Sequence, residues 1–179
     1  MPFVCVFASS SRRLDPEYYA AATSFGAGAA HQGWDLVFGG ANIGLMDAVA
    51  RGFESGGARI VSVIPRIFDR AGLTWTRAAE VILTDDLRER KRAMDTRAGA
   101  FVALPGGPGT ADELFEILTL KQVGLHERPI LVLNQNGHWD PLLLQLERMH
   151  ESGFCLQDPR ELIQVETDVA GLLEALGRG

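Results

Sequence analysis

Short, mostly apolar runs recur along the chain, and amphipathic segments separate them. A run without polar alternation is typical of a central parallel strand that is buried on both faces. The runs lie at residues 3–8, 35–38, 59–64, 80–83, 100–103, 129–133 and 162–165. Strands that alternate with helices in this way predict a doubly wound α/β fold, a parallel sheet with helices on both faces.

The segments between the runs carry helical spacing and the usual end signals. The predicted helices run from 16 to about 31, from the cap Asn42 to Gly56, from Asp85 or Asp86 to about Ala98, through 114–120, onwards from Pro141 and onwards from about Thr167. Asp15 is a plausible cap for the first of them. Residues 66–79 have a weak pattern, which predicts a loop with or without a short helix.

Composition places the chain among ordinary globular proteins. Of 179 residues, 46% are hydrophobic and 22% are charged, which suits a single domain over residues 1–179. A net charge of −6 argues against a nucleic acid polymer or a membrane as the main partner. No apolar run approaches the ~20 residues that cross a bilayer, and the start of the chain lacks a signal-peptide pattern. We therefore expect a cytoplasmic protein, with Cys5 buried and inert.

A glycine-rich turn follows the fifth apolar run and leads into a helix. It reads Leu-Pro-Gly-Gly-Pro-Gly-Thr-Ala-Asp-Glu over residues 104–113. Glycines let the backbone come close to an anion, and free N–H groups at a helix start point towards it. The turn is neither the Walker pattern nor G-x-G-x-x-G. We interpret it as the site of a nucleotide phosphate, with Glu113 directed at the adjacent sugar.

The same residues allow a simpler explanation. Ser/Thr-x-x-Glu is also the capping box, in which Thr110 and Glu113 only satisfy backbone donors. A cap does not need three preceding glycines, however, and Asp112, Glu113, Glu116 and Thr119 share one arc of a mostly apolar helix. Because a polar arc is also typical of a solvent-facing side, both interpretations stay open.

Polar or glycine-rich segments follow three of the predicted strands. They are Ser9-Ser10-Ser11, Gly39-Gly40 and Pro105-Gly106-Gly107. Ligands of open parallel sheets bind outside the carboxyl ends of the strands. We therefore expect the three segments to face one cleft, with Ser10 and Gly40 among its substrate-binding residues.

Two cations of the basic helix lie on its apolar side, so exposure to solvent does not explain their positions. Arg90 and Lys91 fall on the side marked as apolar by Leu87 and Met94. A buried cation needs a partner, and phosphate oxygens, ribose hydroxyls or Glu113 would each serve. The pattern favours a functional role for Arg90, whereas Lys91 has the alternative of extending its ammonium group to solvent. The histidines and cysteines show no metal-ligand spacing and no nucleophile setting.

Three sequence elements together resemble the Lonely Guy family of cytokinin riboside 5'-monophosphate phosphoribohydrolases, whose members are often mislabelled lysine decarboxylases. The first is Pro-Gly-Gly-x-Gly-Thr-x-x-Glu at Pro105 to Glu113, and the second is an Arg-Lys pair followed by a methionine at Arg90, Lys91 and Met94. The third is Gly-Gly…Gly-Leu-Met at residues 39–46. The similarity extends over nearly the whole chain.

The resemblance implies a Rossmann-like homodimer that hydrolyses the N-glycosidic bond of a nucleoside 5'-monophosphate to free base and ribose 5-phosphate. By motif position, Arg90 and Glu113 match the catalytic residues of the family. The matching substrate-binding positions are Lys91, Gly107, Pro108, Gly109, Thr110, Ala111, Asp112 and Thr119. The resemblance implies no metal and no redox cofactor.

Departures from the family pattern concern the pocket more than the reaction. They are Ala41, Asp47, Gly99, Leu120 and, where many members carry a substrate-contacting glutamate, Ile67. Two alternatives therefore remain: a general purine or pyrimidine nucleotide hydrolase, and a non-catalytic nucleotide or molybdenum-cofactor carrier on the same fold. A lysine decarboxylase is disfavoured, since no lysine has a recognisable pyridoxal-phosphate context.

Overall fold

The computed structural model describes residues 1–155 and 157–178. In this part of the chain, seven strands form one sheet in which neighbouring strands are parallel, in the order β4-β3-β2-β1-β5-β6-β7. The strands are β1 (Phe3–Phe7), β2 (Asp35–Phe38), β3 (Ile60–Pro65), β4 (Glu80–Thr84), β5 (Ala98–Ala103), β6 (Ile130–Leu133) and β7 (Gln164–Glu166). The helices are α1 (Pro16–His31), α2 (Gly44–Ser55), α3 (Arg66–Arg70), α4 (Leu87–Asp95), α5 (Pro108–Gln122), α6 (Asp140–Glu151) and α7 (Val169–Gly177). The predicted doubly wound α/β fold is confirmed.

Alternate residues of the central strands supply two separate cores, one on each face of the sheet. Val4 and Val6 of β1 belong to the core that includes α1, α2 and α7, whereas Cys5 and Phe7 belong to the core with α4, α5 and α6. Because both faces are covered, β1 has no polar positions. Burial also raises the pKa of the Cys5 thiol well above its ordinary value, with nearby carboxylates adding to the shift.

The strand order reverses between β1 and β5. The chain adds β2, β3 and β4 on one side of β1 and then returns to place β5 on the other side. The loops that leave β1 and β5 therefore diverge, and a crevice opens between them at the carboxyl ends of the strands. The serine segment and the glycine-rich turn are these two loops.

The predicted cap of α2 is wrong. The helix begins at Gly44, with Ile43 in the N-cap position and no side-chain cap. The amide of Asn42 instead donates hydrogen bonds to the carbonyl oxygens of Gly72 and Thr74, at 3.1 and 3.3 Å. The Asn42 side chain therefore binds the loop after α3. Sequence spacing alone does not indicate this contact.

The capping-box explanation of Thr110 and Glu113 is also wrong. The N-cap position of α5 is Gly107, and Thr110 lies inside the first helical turn. The carboxylate of Glu113 does not return to its own helix start but accepts a hydrogen bond from Arg90 on α4. The simpler alternative for this motif is therefore removed.

Other boundaries shift by a few residues. Helix α4 is capped by Asp86, as one of the two predicted options, but ends at Asp95, and β5 begins at Ala98 instead of residue 100. Residues Pro159–Leu162 form a 3₁₀ turn, which moves β7 towards the C-terminus, and α7 follows Asp168 as its cap. None of these shifts moves the strand ends that face the crevice.

Candidate active site

A cleft of about 410 Å³ opens at the switch point of the sheet. It is bounded by the serine segment after β1, by Gly39 and Ala41 after β2, by the start of α5 and by α4. Its lining residues are Ala8, Ser9, Ser10, Ser11, Gly39, Ala41, Ile43, Met46, Ile64, Phe68, Leu73, Leu87, Arg90, Gly107, Pro108, Gly109, Thr110, Asp112 and Glu113. The three predicted segments therefore meet at one cleft.

The glycine-rich turn presents backbone to the cleft. At Gly107 and Gly109 a Cβ atom would meet nothing within 4 Å, so a ligand has room to approach the main chain there. At Gly106 a Cβ atom would overlap the side chain of Thr110, which closes the turn tightly. Since the first N–H groups of a helix have no partner within the helix, the start of α5 offers donors for an anion.

The serine segment is held against the start of α2. The N–H of Leu45 donates to the carbonyl oxygen of Ser9 at 2.8 Å. Gly44 adopts a φ of +62°, and a Cβ atom there would overlap the backbone of residues 9–11. A glycine is therefore required for the close approach that brings Ser10 to the cleft.

A buried ion pair forms part of the cleft wall. Nη2 of Arg90 donates to Oε1 of Glu113, and the two side chains are only 13% and 7% exposed. Burial raises the pKa of Glu113 to about 7, against the opposing effect of Arg90. A carboxyl group that is half ionised near neutral pH is suited to proton transfer or to the stabilisation of positive charge.

Gly39 lies in the cleft wall beside this ion pair and leaves room for it. A Cβ atom on Gly39 would lie 3.1 Å from Nη1 of Arg90, so a larger residue would crowd the guanidinium group. Among the described residues, Nε of Arg90 is buried and has no hydrogen-bond acceptor. A buried donor without an acceptor costs free energy, so the buried Nε of Arg90 lowers the stability of the folded protein.

Apolar side chains make up much of the remaining wall. They come from α2 and the residue before it, from β3, from α3 and the loop behind it, and from the start of α4, as Ile43, Met46, Ile64, Phe68, Leu73 and Leu87. The cleft thus combines helix-start amides, an ion pair and an apolar surface. A ligand with an anionic group, a sugar and a flat apolar group fits this combination.

Four of the predicted substrate-binding residues are not in the cleft wall. Gly40 has a φ of +76° and a Cβ site blocked by Ser62, so its position is set by the turn after β2. Thr119 lies exposed on α5, and Ala111 packs against the core that includes α4, α5 and α6. Lys91 bonds to Asp112 at 2.9 Å and to Glu116.

His138, to which the sequence assigns no role in the site, contacts the glycine-rich turn. Nε2 of His138 lies 3.1 Å from the N–H of Gly106 and 2.8 Å from its carbonyl oxygen. The ring packs edge-on against Trp139, which is buried. His138 follows β6, and only the tertiary fold brings it to the turn, so no local pattern could have identified it.

The described residues include no group of three or more His, Cys, Asp or Glu side chains placed to hold a metal ion. Among the same residues, no helix combines the length and apolar character needed to cross a membrane.

Comparisons with known proteins give a consistent result. The sequence profile of a family described as "Possible lysine decarboxylase" matches residues 46–176. Cytokinin riboside 5'-monophosphate phosphoribohydrolase LOG3 of Arabidopsis thaliana is 37% identical over 160 residues, which cover 89% of this chain and 74% of that protein. LOG2 of the same plant, which carries the same enzyme name, is 34% identical over 97% of this chain and 81% of its own.

A solved structure shares the fold at lower identity. The molybdenum cofactor carrier protein of Chlamydomonas reinhardtii superposes with a TM-score of 0.75 over 99% of this chain and 96% of that one. The identity is 22%, so this likeness concerns the fold alone.

Proposed function

The chain belongs to the Lonely Guy family, and from this premise we propose that it hydrolyses the N-glycosidic bond of a nucleoside 5'-monophosphate. The products are the free base and ribose 5-phosphate. The observation that supports this most directly is the buried Arg90–Glu113 pair, which lines the same cleft as the free amides of the glycine-rich turn. The proposed substrates are a cytokinin riboside 5'-monophosphate and AMP.

The phosphate is held by the main chain at the start of α5. Gly107, Gly109 and Thr110 offer N–H groups, while Pro108 has none and fixes the direction of the first turn. The hydroxyl of Ser10 lies at the same cleft and adds a further donor. Binding energy from a phosphate that does not react positions the bond that does.

Glu113 acts on the sugar. Cleavage of an N-glycosidic bond builds positive charge on the ribose, as in the oxocarbenium-like transition states of glycosidases. The carboxylate either stabilises this charge or orients the attacking water, and both roles require its ionised form. Arg90 either holds the carboxylate and the substrate in position or assists the departing base.

Two lysines occur in the chain, and neither is placed for a Schiff base with pyridoxal phosphate. The ammonium group of Lys91 is engaged by two carboxylates, and Lys121 donates to the carbonyl oxygen of Arg128 at 3.1 Å. A Schiff-base lysine has to be an uncharged nucleophile beside the cofactor. The family description as a lysine decarboxylase therefore finds no support in these side chains.

The apolar part of the cleft favours an adenine base with an alkyl substituent over an unsubstituted base. Side chains such as Ile43, Met46 and Leu73 offer contacts for alkyl groups but no hydrogen bonds. A general nucleotide hydrolase is the nearest alternative, and a non-catalytic carrier is weaker because the Arg90–Glu113 pair is intact.

We also propose that the protein acts in the cytoplasm as a homodimer. Both cysteines are free thiols, in keeping with a reducing compartment. Exposed apolar side chains near the cleft, such as Ile67 at 68% and Leu87 at 49%, favour association with a second copy. Sedimentation equilibrium would contradict the dimer by returning the mass of one chain.

A product assay tests the reaction. Free base and ribose 5-phosphate are measured with isopentenyl-AMP, AMP and a pyrimidine monophosphate as substrates. We expect Glu113→Gln and Arg90→Ala to lose on the order of a hundredfold or more in kcat, as for the loss of one key electrostatic group in a transition state. Glu161→Gln, the same change at an exposed glutamate, is the control.

Wild-type turnover in either cleft variant would refute the assignment. A strong preference for isopentenyl-AMP supports the cytokinin substrate, and equal rates with AMP support the general hydrolase. Recovery of an intact bound nucleotide with no product formed would support the carrier.

A further inference from the structure

Lys91 lies behind Glu113 and not in the cleft. It follows Arg90 on α4, yet its side chain is absent from the cleft wall. Lys91 instead borders a void of about 10 Å³ on the other side of Glu113, together with Asp95, Glu116 and apolar residues of β1 and α5. Glu113 lines both the cleft and this void, whereas Lys91 lines the void alone.

The ammonium group of Lys91 is shared between two carboxylates of α5. Its Nζ donates to Oδ2 of Asp112 at 2.9 Å and pairs with Glu116, and the lysine side chain is only 14% exposed. Asp112 and Glu116 are one residue before and three residues after Glu113, so the two carboxylates flank it on the helix. Burial disfavours the charge of Lys91, but the hydrogen bonds and the charges of the two carboxylates together outweigh this effect and raise its pKa.

We propose that Lys91 is a positioning residue, which joins α4 to α5 through the two carboxylates flanking Glu113 and offsets part of their charge, and thereby favours the ionised form of Glu113. The inference rests on the proposed function for its catalytic meaning. It assigns Lys91 a role different from substrate binding, because its side chain is absent from the cleft wall and its ammonium group is paired with Asp112 and Glu116. Two parallel links between α4 and α5, through Arg90 and through Lys91, also fix the register of the two helices.

The charges around Glu113 support this role. Burial raises its pKa most, and Arg90 opposes the rise more strongly than Lys91 does. Asp112 and Glu116 act in the same direction as burial. Removal of the Lys91 charge would therefore leave two carboxylates uncompensated beside a third.

Two other titratable groups border this region from neighbouring elements. Asp95 of α4 lines the same void, but its carboxylate is paired with Arg128 at 2.5 Å. The thiol of Cys5 on β1 is buried, and Glu113 contributes to the rise of its pKa, so it stays neutral at the pH values tested. The Cys5 thiol therefore adds no charge when Lys91 is replaced, and the Asp95 carboxylate has its own cation in Arg128.

The test measures the titration of Glu113 directly. The carboxyl ¹³C resonance of Glu113 is followed against pH in glutamate-labelled protein and is assigned by its loss in Glu113→Gln. We expect Lys91→Met to raise the midpoint by about one pH unit, the size of one uncompensated charge near a buried site. Lys91→Arg keeps the charge and should keep the midpoint.

A compensating variant separates this role from substrate binding. Lys91→Met combined with Glu116→Gln removes one cation and one anion, which keeps the net charge beside Glu113, and should bring the midpoint back towards the wild-type value. Glu116 does not line the cleft, so the second change leaves the cleft wall intact. In the activity assay, the acid limb of kcat/KM should shift with Lys91→Met and move back with the double variant. At pH 7 the single variant should be roughly fivefold slower, as a one-unit shift of a group titrating near 7 requires.

An unchanged Glu113 midpoint in Lys91→Met would overturn the proposal, as would a raised KM at every pH that the double variant does not relieve. The NMR titration does not require turnover. A shift of the midpoint in a protein that releases no base would sustain the role of Lys91 and refute the hydrolase. If Lys91→Met does not fold, an unequal midpoint in Lys91→Arg would overturn the proposal in the same way.

Discussion

The buried carboxyl group of Glu113 should make the stability of the protein depend on pH. Burial raises its pKa to about 7 from an ordinary value of 4.5. A group that binds its proton more tightly in the folded state stabilises the fold while protonated. This contribution is complete below about pH 4.5, where the unfolded chain is protonated as well, and is lost as the pH rises through about 7.

The size of the effect follows from the shift. A rise from 4.5 to about 7, at 1.36 kcal/mol per unit, corresponds to roughly 3 kcal/mol of unfolding free energy. Total stabilities of domains are about 5–15 kcal/mol, so the loss is a large fraction. We expect the unfolding free energy of the wild type, relative to Glu113→Gln, to fall by this amount between about pH 4.5 and pH 8.

Urea unfolding of both proteins across this pH range measures the difference. Glu113→Gln leaves Arg90 without its carboxylate, but this penalty is the same at every pH because the guanidinium group stays charged. Contributions from the other carboxylates cancel in the comparison. Glu161→Gln is the matched control and should follow the wild type in parallel. A constant difference between the wild type and Glu113→Gln would refute the reasoning about burial.

Two further changes test the supports of the cleft. His138→Phe keeps a ring against Trp139 but removes the hydrogen bond to Gly106. We therefore expect KM for the nucleotide to rise about fivefold with kcat little changed. An unaltered KM in steady-state kinetics would count against a role for His138. Gly44→Ala should cost more than ~2 kcal/mol in urea unfolding, because a positive φ and a backbone overlap act together. At Gly57 the φ is also positive but the space is open, so Gly57→Ala should cost less, and equal losses would contradict the steric argument.

Hydrophobic patterning along the chain predicts the strands, the sheet and the burial of Arg90. The strand β1 was identified because burial on both faces excludes polar residues from it, and the sheet followed from the alternation of such runs with helices. The burial of Arg90 was predicted from its helical spacing, and the prediction that it has a partner is confirmed by its pair with Glu113.

The features that sequence reasoning missed depend on contacts between distant segments. Spacing predicts Asn42 as a helix cap, because nothing near it in sequence shows that its amide donates to the carbonyl oxygens of Gly72 and Thr74. His138 reaches Gly106 only because β5 and β6 are neighbours in the sheet. Spacing placed Lys91 beside Arg90 but did not show that two carboxylates of α5 hold it.

The weakly patterned segment 66–79 has a separate physical basis for its order. The N–H of Trp75 donates to the carbonyl oxygen of Gly40 at 2.8 Å, and the N–H of Asn42 donates to Leu73 at the same distance. The indole of Trp75 also donates to Asp47 on α2, at 3.2 Å. The segment is thus fixed by bonds to the turn after β2 and to α2, and needs no periodicity of its own.

The apolar wall and the ion pair of the site come from different segments of the chain. Phe68 and Leu73 bring the apolar wall from this segment, whereas Arg90 and Glu113 come from α4 and α5, which are joined to each other by ion pairs. Substitutions between residues 66 and 79 can therefore reshape the wall that we assign to the base without moving the groups that we assign to the glycosidic bond. The departure at Ile67 lies in this segment, and the arginine and glutamate of the family motifs do not, as expected if base preference can diverge while the reaction is kept.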